Sequence, residues 1–160
     1  MKPGSERLLL AMIIGMGLAL PVHAQFWTRD PAALPTPTAF VNNMELGDLR
    51  QAEAWLDAGL APDFMGSRIG SGLMIGAWEG NIDAMRLFVS RGADINRMNG
   101  NGETAIILAA WRGHLEAVKW LVERGARINA APRQWTPLHY AVFTGQREVA
   151  DYLMAQGADI

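Results

Sequence analysis

Gly92-Ala93-Asp94-Ile95-Asn96 returns as Gly125-Ala126-Arg127-Ile128-Asn129 and again as Gly157-Ala158-Asp159-Ile160, at spacings of 33 and 32 residues. Self-similarity at such a period marks a repeat architecture, in which each unit buries its apolar face against the next. The same register aligns Gly47, Gly80, Gly113 and Gly145 at one position and Gly59, Gly92, Gly125 and Gly157 at another. Four units follow: 38–64, 65–97, 98–130 and 131–160. Each later unit reads as a short apolar helix, a glycine turn, a longer amphipathic helix and a closing glycine. In the third unit Thr104 stands where a cap belongs, and Ile106 to Ala110 are small and apolar. Leu115, Val118, Leu121 and Val122 then fall at spacings that line one helix face. Gly125 supplies the left-handed backbone that ends the helix.

Bulk properties exclude several classes. Half of the 160 residues are hydrophobic and the formal charge is −2. That suits a packed core and offers no basic stripe for nucleic acid. Cysteine is absent, so disulfides and thiolate chemistry are excluded. Residues 1–24 carry Lys2 and Arg7, an uncharged run from Leu8 to Leu20, and small residues at Val22-His23-Ala24. The run is shorter than the roughly 20 residues a membrane span needs, and the pattern predicts a secretory signal peptide cleaved after Ala24, with an uncleaved anchor as the alternative. Cleavage leaves 12 basic and 15 acidic residues. The expected location is periplasmic or secreted, with no stable membrane insertion afterwards. Residues 25–37, with Pro31, Pro35 and Pro37, read as an extended linker.

Thr136-Pro137-Leu138-His139-Tyr140-Ala141, Gly113-His114-Leu115-Glu116-Ala117-Val118 and Leu121-Val122-Glu123-Arg124-Gly125-Ala126 resemble the motifs of ankyrin repeats. The resemblance covers about 38–160. It implies an all-α fold, an ankyrin-repeat solenoid of stacked helix-turn-helix units with projecting loops. Departures from the motif carry information. Ser71-Gly72 replaces Thr-Pro in the second unit, so its first helix is expected to start less firmly. Asn129 to Thr136 is one residue shorter than Asn96 to Thr104, which shortens the last loop. Asn42 and Asn43 take apolar positions in 38–64, as a terminal cap would. Leu138, Val142, Leu153 and Met154 keep an apolar pattern at the other end, where either further chain or a docked partner is expected.

Trp78, Trp111 and Phe143 each precede a turn glycine by two residues. By the resemblance this position, with the residue after it, lies on the concave side. Three aromatics about 10 Å apart, with Glu79, Arg112 and Thr144 beside them, would form a binding ladder. The alternative is that the rings lie flat and plug the grooves between repeats. Trp55 and Trp120 align with core positions. Arg68, Met98, Asn101, Glu103, Arg133 and Trp135 fall at loop tips, which resemble the family's second contact zone or are solvated turn residues. His114 and His139 both occupy motif positions and read as structural; by the resemblance, His139 ties neighbouring loops. No metal-ligand spacing, nucleophile pair or phosphate loop is present, so neither catalysis nor a cofactor is expected. The expected function is non-catalytic binding of a protein partner through the concave face and loop tips. Self-association through the apolar C-terminal face is the alternative.

Overall fold

The computed structural model describes residues 33–129 and 134–159, all within the unit Pro31–Ile160. The expected leader, most of the linker, Arg133 and the tip of the shortened loop lie outside the described residues. Among those described, eight helices and no strand form four pairs. These are α1 (Pro37–Leu46) with α2 (Leu49–Asp57), α3 (Gly72–Glu79) with α4 (Ile82–Ser90), α5 (Ala105–Arg112) with α6 (Leu115–Glu123), and α7 (Pro137–Phe143) with α8 (Arg147–Ala155). The all-α repeat array implied by the resemblance is the one observed.

The helix starts differ in how they are held. Proline disfavours a helix interior but suits its first turn, where the missing N–H is not needed. The last proline of the expected linker therefore opens a helix: Pro37 begins α1, and Thr36 Oγ1 accepts from the Ala39 N–H at 3.2 Å. At α7, Thr136 Oγ1 accepts from the His139 N–H while His139 Nδ1 accepts from the Thr136 N–H, a reciprocal capping box. Thr104 does stand at the N-cap of α5, but its side chain makes no capping bond, and neither does Ser71 at α3. Their partners three residues on are Ile107 and Met74, which have no polar atom for the reciprocal half. Ser71 Oγ is buried without any partner, in keeping with the weaker start read from the sequence.

Stacking depends on small residues. Gly76, Ala77, Ala109, Ala110 and Ala141 are buried along the short helices, and α1, α3, α5 and α7 pack in an inner row. Helix separation is set by the side chains at the contact, so glycine and alanine bring these axes close. Contacts along the outer row, α2 to α4 and α6 to α8, are less extensive. Packing is therefore tightest along the inner row, the side that the ankyrin resemblance makes concave. Outer helices contribute Phe88, Val118, Leu121, Val149 and Leu153 to the core. Trp55 and Trp120 join them at 7% and 9% exposure, as their alignment predicts. Of the four apolar residues at the last unit, Leu138 and Leu153 turn inward, because each completes its own repeat's core; only Val142 and Met154 remain exposed.

The last residue of the glycine pattern stitches one repeat to the next. Asn96 Oδ1 accepts from the Arg127 N–H at 2.8 Å while its Nδ2 donates to the Gly125 carbonyl at 3.3 Å. Asn129 repeats both bonds with Asp159 and Gly157. Asp63, which can only accept, takes the Asp94 N–H at 3.1 Å. We expect Asn96→Ala to cost about 1–2 kcal/mol in urea unfolding and Asn96→Asp to cost less, since the aspartate keeps the accepting half. Equal losses would contradict the division into two bonds.

Candidate protein-binding surface

α3 ends in Trp78-Glu79 and α5 in Trp111-Arg112, each just before a turn glycine, whereas α7 ends at Phe143 with Thr144 after it. The rings do not stand 10 Å apart. Trp78 and Trp111 lean together edge to face, with centroids 5.6 Å apart and planes at 83°, the arrangement that sets a positive ring edge on a negative face. Phe143 does not continue the row directly. Tyr140 lies next to Trp111 at 5.2 Å, and Trp135 bridges Tyr140 at 5.3 Å and Phe143 at 5.5 Å. A contiguous aromatic run results, from Trp78 through Trp111, Tyr140 and Trp135 to Phe143.

Tyr140 joins this run because of its size. It takes the place held in earlier units by Ile75 and Leu108, both buried, but its longer ring reaches out to Trp111. Burial, with the carboxylate of Glu103 nearby, raises its hydroxyl above the ordinary tyrosine pKa. The alternatives left by the sequence, ladder or plug, divide along the run. Trp78 is half-buried and packs on the core, and Trp111 is half-buried between two rings. Trp135 and Phe143 stand 50% and 72% exposed.

Polar groups fix the run's backbone. His114 Nε2 lies 3.0 Å from the Trp78 carbonyl, and the Thr144 hydroxyl is shared between the carbonyls of Tyr140 at 2.8 Å and Trp111 at 3.1 Å. Thr144, expected beside the ladder as a contact residue, is thus engaged with the chain itself. Of His114 and His139, the former crosses between repeats, whereas the bonds of the latter go to Thr136 in its own turn. The ring that reaches a neighbour is the one that follows the turn glycine, because Gly80 leaves open backbone for it to cover. Arg112 lays its guanidinium 5.0 Å from the centre of the Trp78 ring, a cation–π contact. Glu79 is exposed, with no ion pair to it among the described residues.

The loop residues separate into struts and tips. Glu103 is 8% exposed, and its Oε2 accepts from Asn99 Nδ2 at 2.8 Å and Asn101 Nδ2 at 3.3 Å. Asn101 is therefore tied to the loop as well. Asn99, which the sequence reading passed over, is the hub: its Nδ2 also donates to the carbonyls of Ile69 at 2.9 Å and Arg68 at 3.3 Å in the preceding repeat. Its signal was the Asn99-Gly100 pair, since asparagine bonds its own turn two residues on. Arg68 and Met98 do present exposed side chains. Met98 and Trp135 together line a crevice of about 130 Å³ with Ile107 and Arg127. A second groove of about 330 Å³ opens between α7 and α8, lined by Leu138, His139, Val142, Phe143 and Met154.

Among the described residues no group of three or more His, Cys, Asp or Glu side chains is placed to hold a metal ion. None of their helices is long and apolar enough to cross a membrane. No curated protein matches the chain. The family model described as ankyrin repeats, in three copies, matches residues 73–160, more than half of the sequence. Those copies cover the units built on α3 through α8, and the pair α1 and α2 stacks ahead of them. The chain therefore belongs to the ankyrin-repeat family, whose members are generally non-catalytic modules for binding other proteins.

Proposed function

We propose that this protein is an exported binding module that holds a protein partner against the concave face of its inner helices, with Arg68 and Met98 at the loop tips as a second contact zone. The aromatic run carries this reading. Tryptophan, tyrosine and arginine dominate binding hot spots; Phe143 and Trp135 leave large apolar surface open at one end of the run, and Arg112 lies over Trp78 at the other. Export is supported by the basic start, the apolar run from Leu8 to Leu20 and the small residues before Gln25.

Replacing both Trp111 and Phe143 with alanine is expected to weaken capture of the native partner by about thirtyfold or more, while the helical circular-dichroism signal stays intact. Crosslinking in the native compartment identifies the partner, and collapse of the helical signal in the variant would return these rings to the core. A second reading, self-association, is favoured by the groove between α7 and α8, where Leu138, Val142, Phe143 and Met154 line the opening beside His139. Light scattering decides it: a monomer at high protein concentration rules self-association out.

A further inference from the structure

The two ends of the stack differ in what they leave open. Asn42 in α1 takes the position of Ile75 in α3, Leu108 in α5 and Tyr140 in α7. Ile75 and Leu108 are buried and Tyr140 reaches back to Trp111, so this position faces the preceding repeat. In α1 it is an exposed asparagine, with exposed Thr38 one turn before it. Val142 in α7 takes the position of Met44, Ala77 and Ala110. Those three are buried, each with an inner helix stacked after it, and Val142, with none stacked after it among the described residues, is 64% exposed. Met154 is exposed as well, in the place where Leu56, Val89 and Val122 pack on the core. The α7–α8 end thus keeps the apolar chemistry of a stacking face, and the α1 end does not.

The charges at this end are self-complementary. Leu138, Val142, Phe143 and Met154 line the groove beside His139. On α8, Arg147, Asp151 and Met154 follow one another at spacings of four and three, which sets them on one helix face. Arg147 and Asp151 therefore flank the groove with one charge of each sign. Their own contact is loose, 3.7 Å with both side chains open to solvent, and such a pair contributes little in water. Turned about a two-fold axis midway between these residues, two copies of α8 run antiparallel and set Arg147 of each opposite Asp151 of the other. The charges then match twice while apolar side chains meet apolar ones. Head-to-tail stacking would instead press Val142 onto Asn42, whose amide would lose water without gaining a partner.

We propose that the α7–α8 end binds a second copy of this chain in a two-fold pair, with Val142, Phe143 and Met154 of both copies packed together and Arg147 of each joined to Asp151 of the other. This pairing rests on the self-association reading and adds to it the face, the symmetry and the residues that mate.

Sedimentation velocity of the purified protein from about 1 μM to about 1 mM tests it. A monomer–dimer equilibrium is expected with nothing larger, because a two-fold contact closes on itself. Val142→Glu should weaken the dimer at least about tenfold, since it buries two unpaired carboxylates, and Asn42→Lys should leave it unchanged. Arg147→Asp and Asp151→Arg should each weaken it about fivefold or more, and mixing the two variants should restore a dimer in which every cross pair is again opposite in sign. All four substituted side chains are exposed, and circular dichroism checks that each variant keeps its fold. Open-ended oligomers, or loss of association in Asn42→Lys, overturn the two-fold pair and leave self-association standing. A dimer indifferent to Val142→Glu overturns the face with the same consequence. Single swaps that weaken the dimer without rescue on mixing overturn the assigned charge pairing. A protein that stays monomeric up to about 1 mM overturns the pair and the self-association reading together.

Discussion

Gly72→Ala is expected to destabilise the protein by about 1–3 kcal/mol, although alanine is the better helix former by up to about 1 kcal/mol. Gly72 is the first residue of α3, and a Cβ there would run into three carbons of the Phe88 ring, well inside van der Waals contact. Phe88 cannot give way easily. It is fully buried and packs edge-on against Phe40 at 6.0 Å, which in turn meets Phe64 at 5.3 Å. Helix propensity and packing thus predict opposite signs, and urea unfolding chooses between them. The double variant with Phe88→Leu supplies the control. Phe88→Leu alone leaves a void, but with Gly72→Ala the added methyl occupies part of that void, so the combined loss should be smaller than the sum of the two. Additive losses would mean that Gly72 and Phe88 do not share this space.

Gly80→Ala is expected to be the most damaging alanine substitution among the turn and closing glycines, at about 2–4 kcal/mol. Two effects combine there. The backbone is left-handed, with φ +69°, which costs a residue with a Cβ about 1–2 kcal/mol. The new Cβ would also stand 2.8 Å from His114 Nδ1, in a ring already committed to the Trp78 carbonyl. Moving the ring aside breaks one of the contacts that tie the third repeat to the second. Gly113 meets the Gln146 side chain in the same way, but that amide rotates freely enough to yield. Gly92 is left-handed at φ +92° with nothing within 4 Å, so only the backbone cost applies. The expected order of loss in urea midpoint is Gly80, then Gly113, then Gly92. Equal losses at Gly80 and Gly92 would reduce the whole effect to backbone conformation.

These substitutions also mark how much of the protein was legible before its structure. The left-handed turns could be read from spacing, because a repeat returns the same backbone geometry at the same interval and glycine is the residue that adopts it without strain. Trp55 and Trp120 were assigned to the core by alignment alone. Gly72 was read only as a missing proline. Its use by Phe88 was hidden because the ring arrives from another helix, and no local pattern records that approach. Glu103 shows the same limit. A charged residue beside Asn101 at a loop tip reads as exposed, yet three bonds within the loop, to Asn99 and Asn101, draw it inside.

The candidate surface was legible in part, for a related reason. Register placed Trp78, Trp111 and Phe143 at one position, and helix spacing set them about 10 Å apart. It could not set the direction of each side chain. Aromatic rings turn toward one another wherever a face and an edge can meet, and so Tyr140 and Trp135 entered the run while Phe143 joined it only through Trp135.

By itself, then, the sequence determined the family, the helix pairs, the turns and the alternation of buried and exposed positions, because a periodic chain repeats whatever its local geometry dictates. The tertiary structure alone decided which rings touch, which loop carboxylate is buried, which histidine crosses between repeats and why Gly72 is glycine. The approach of Phe88 to Gly72, the meeting of Trp78 with Trp111 and the crossing of His114 to Trp78 each join residues 16 to 36 positions apart, and the space for them exists only once the repeats have stacked.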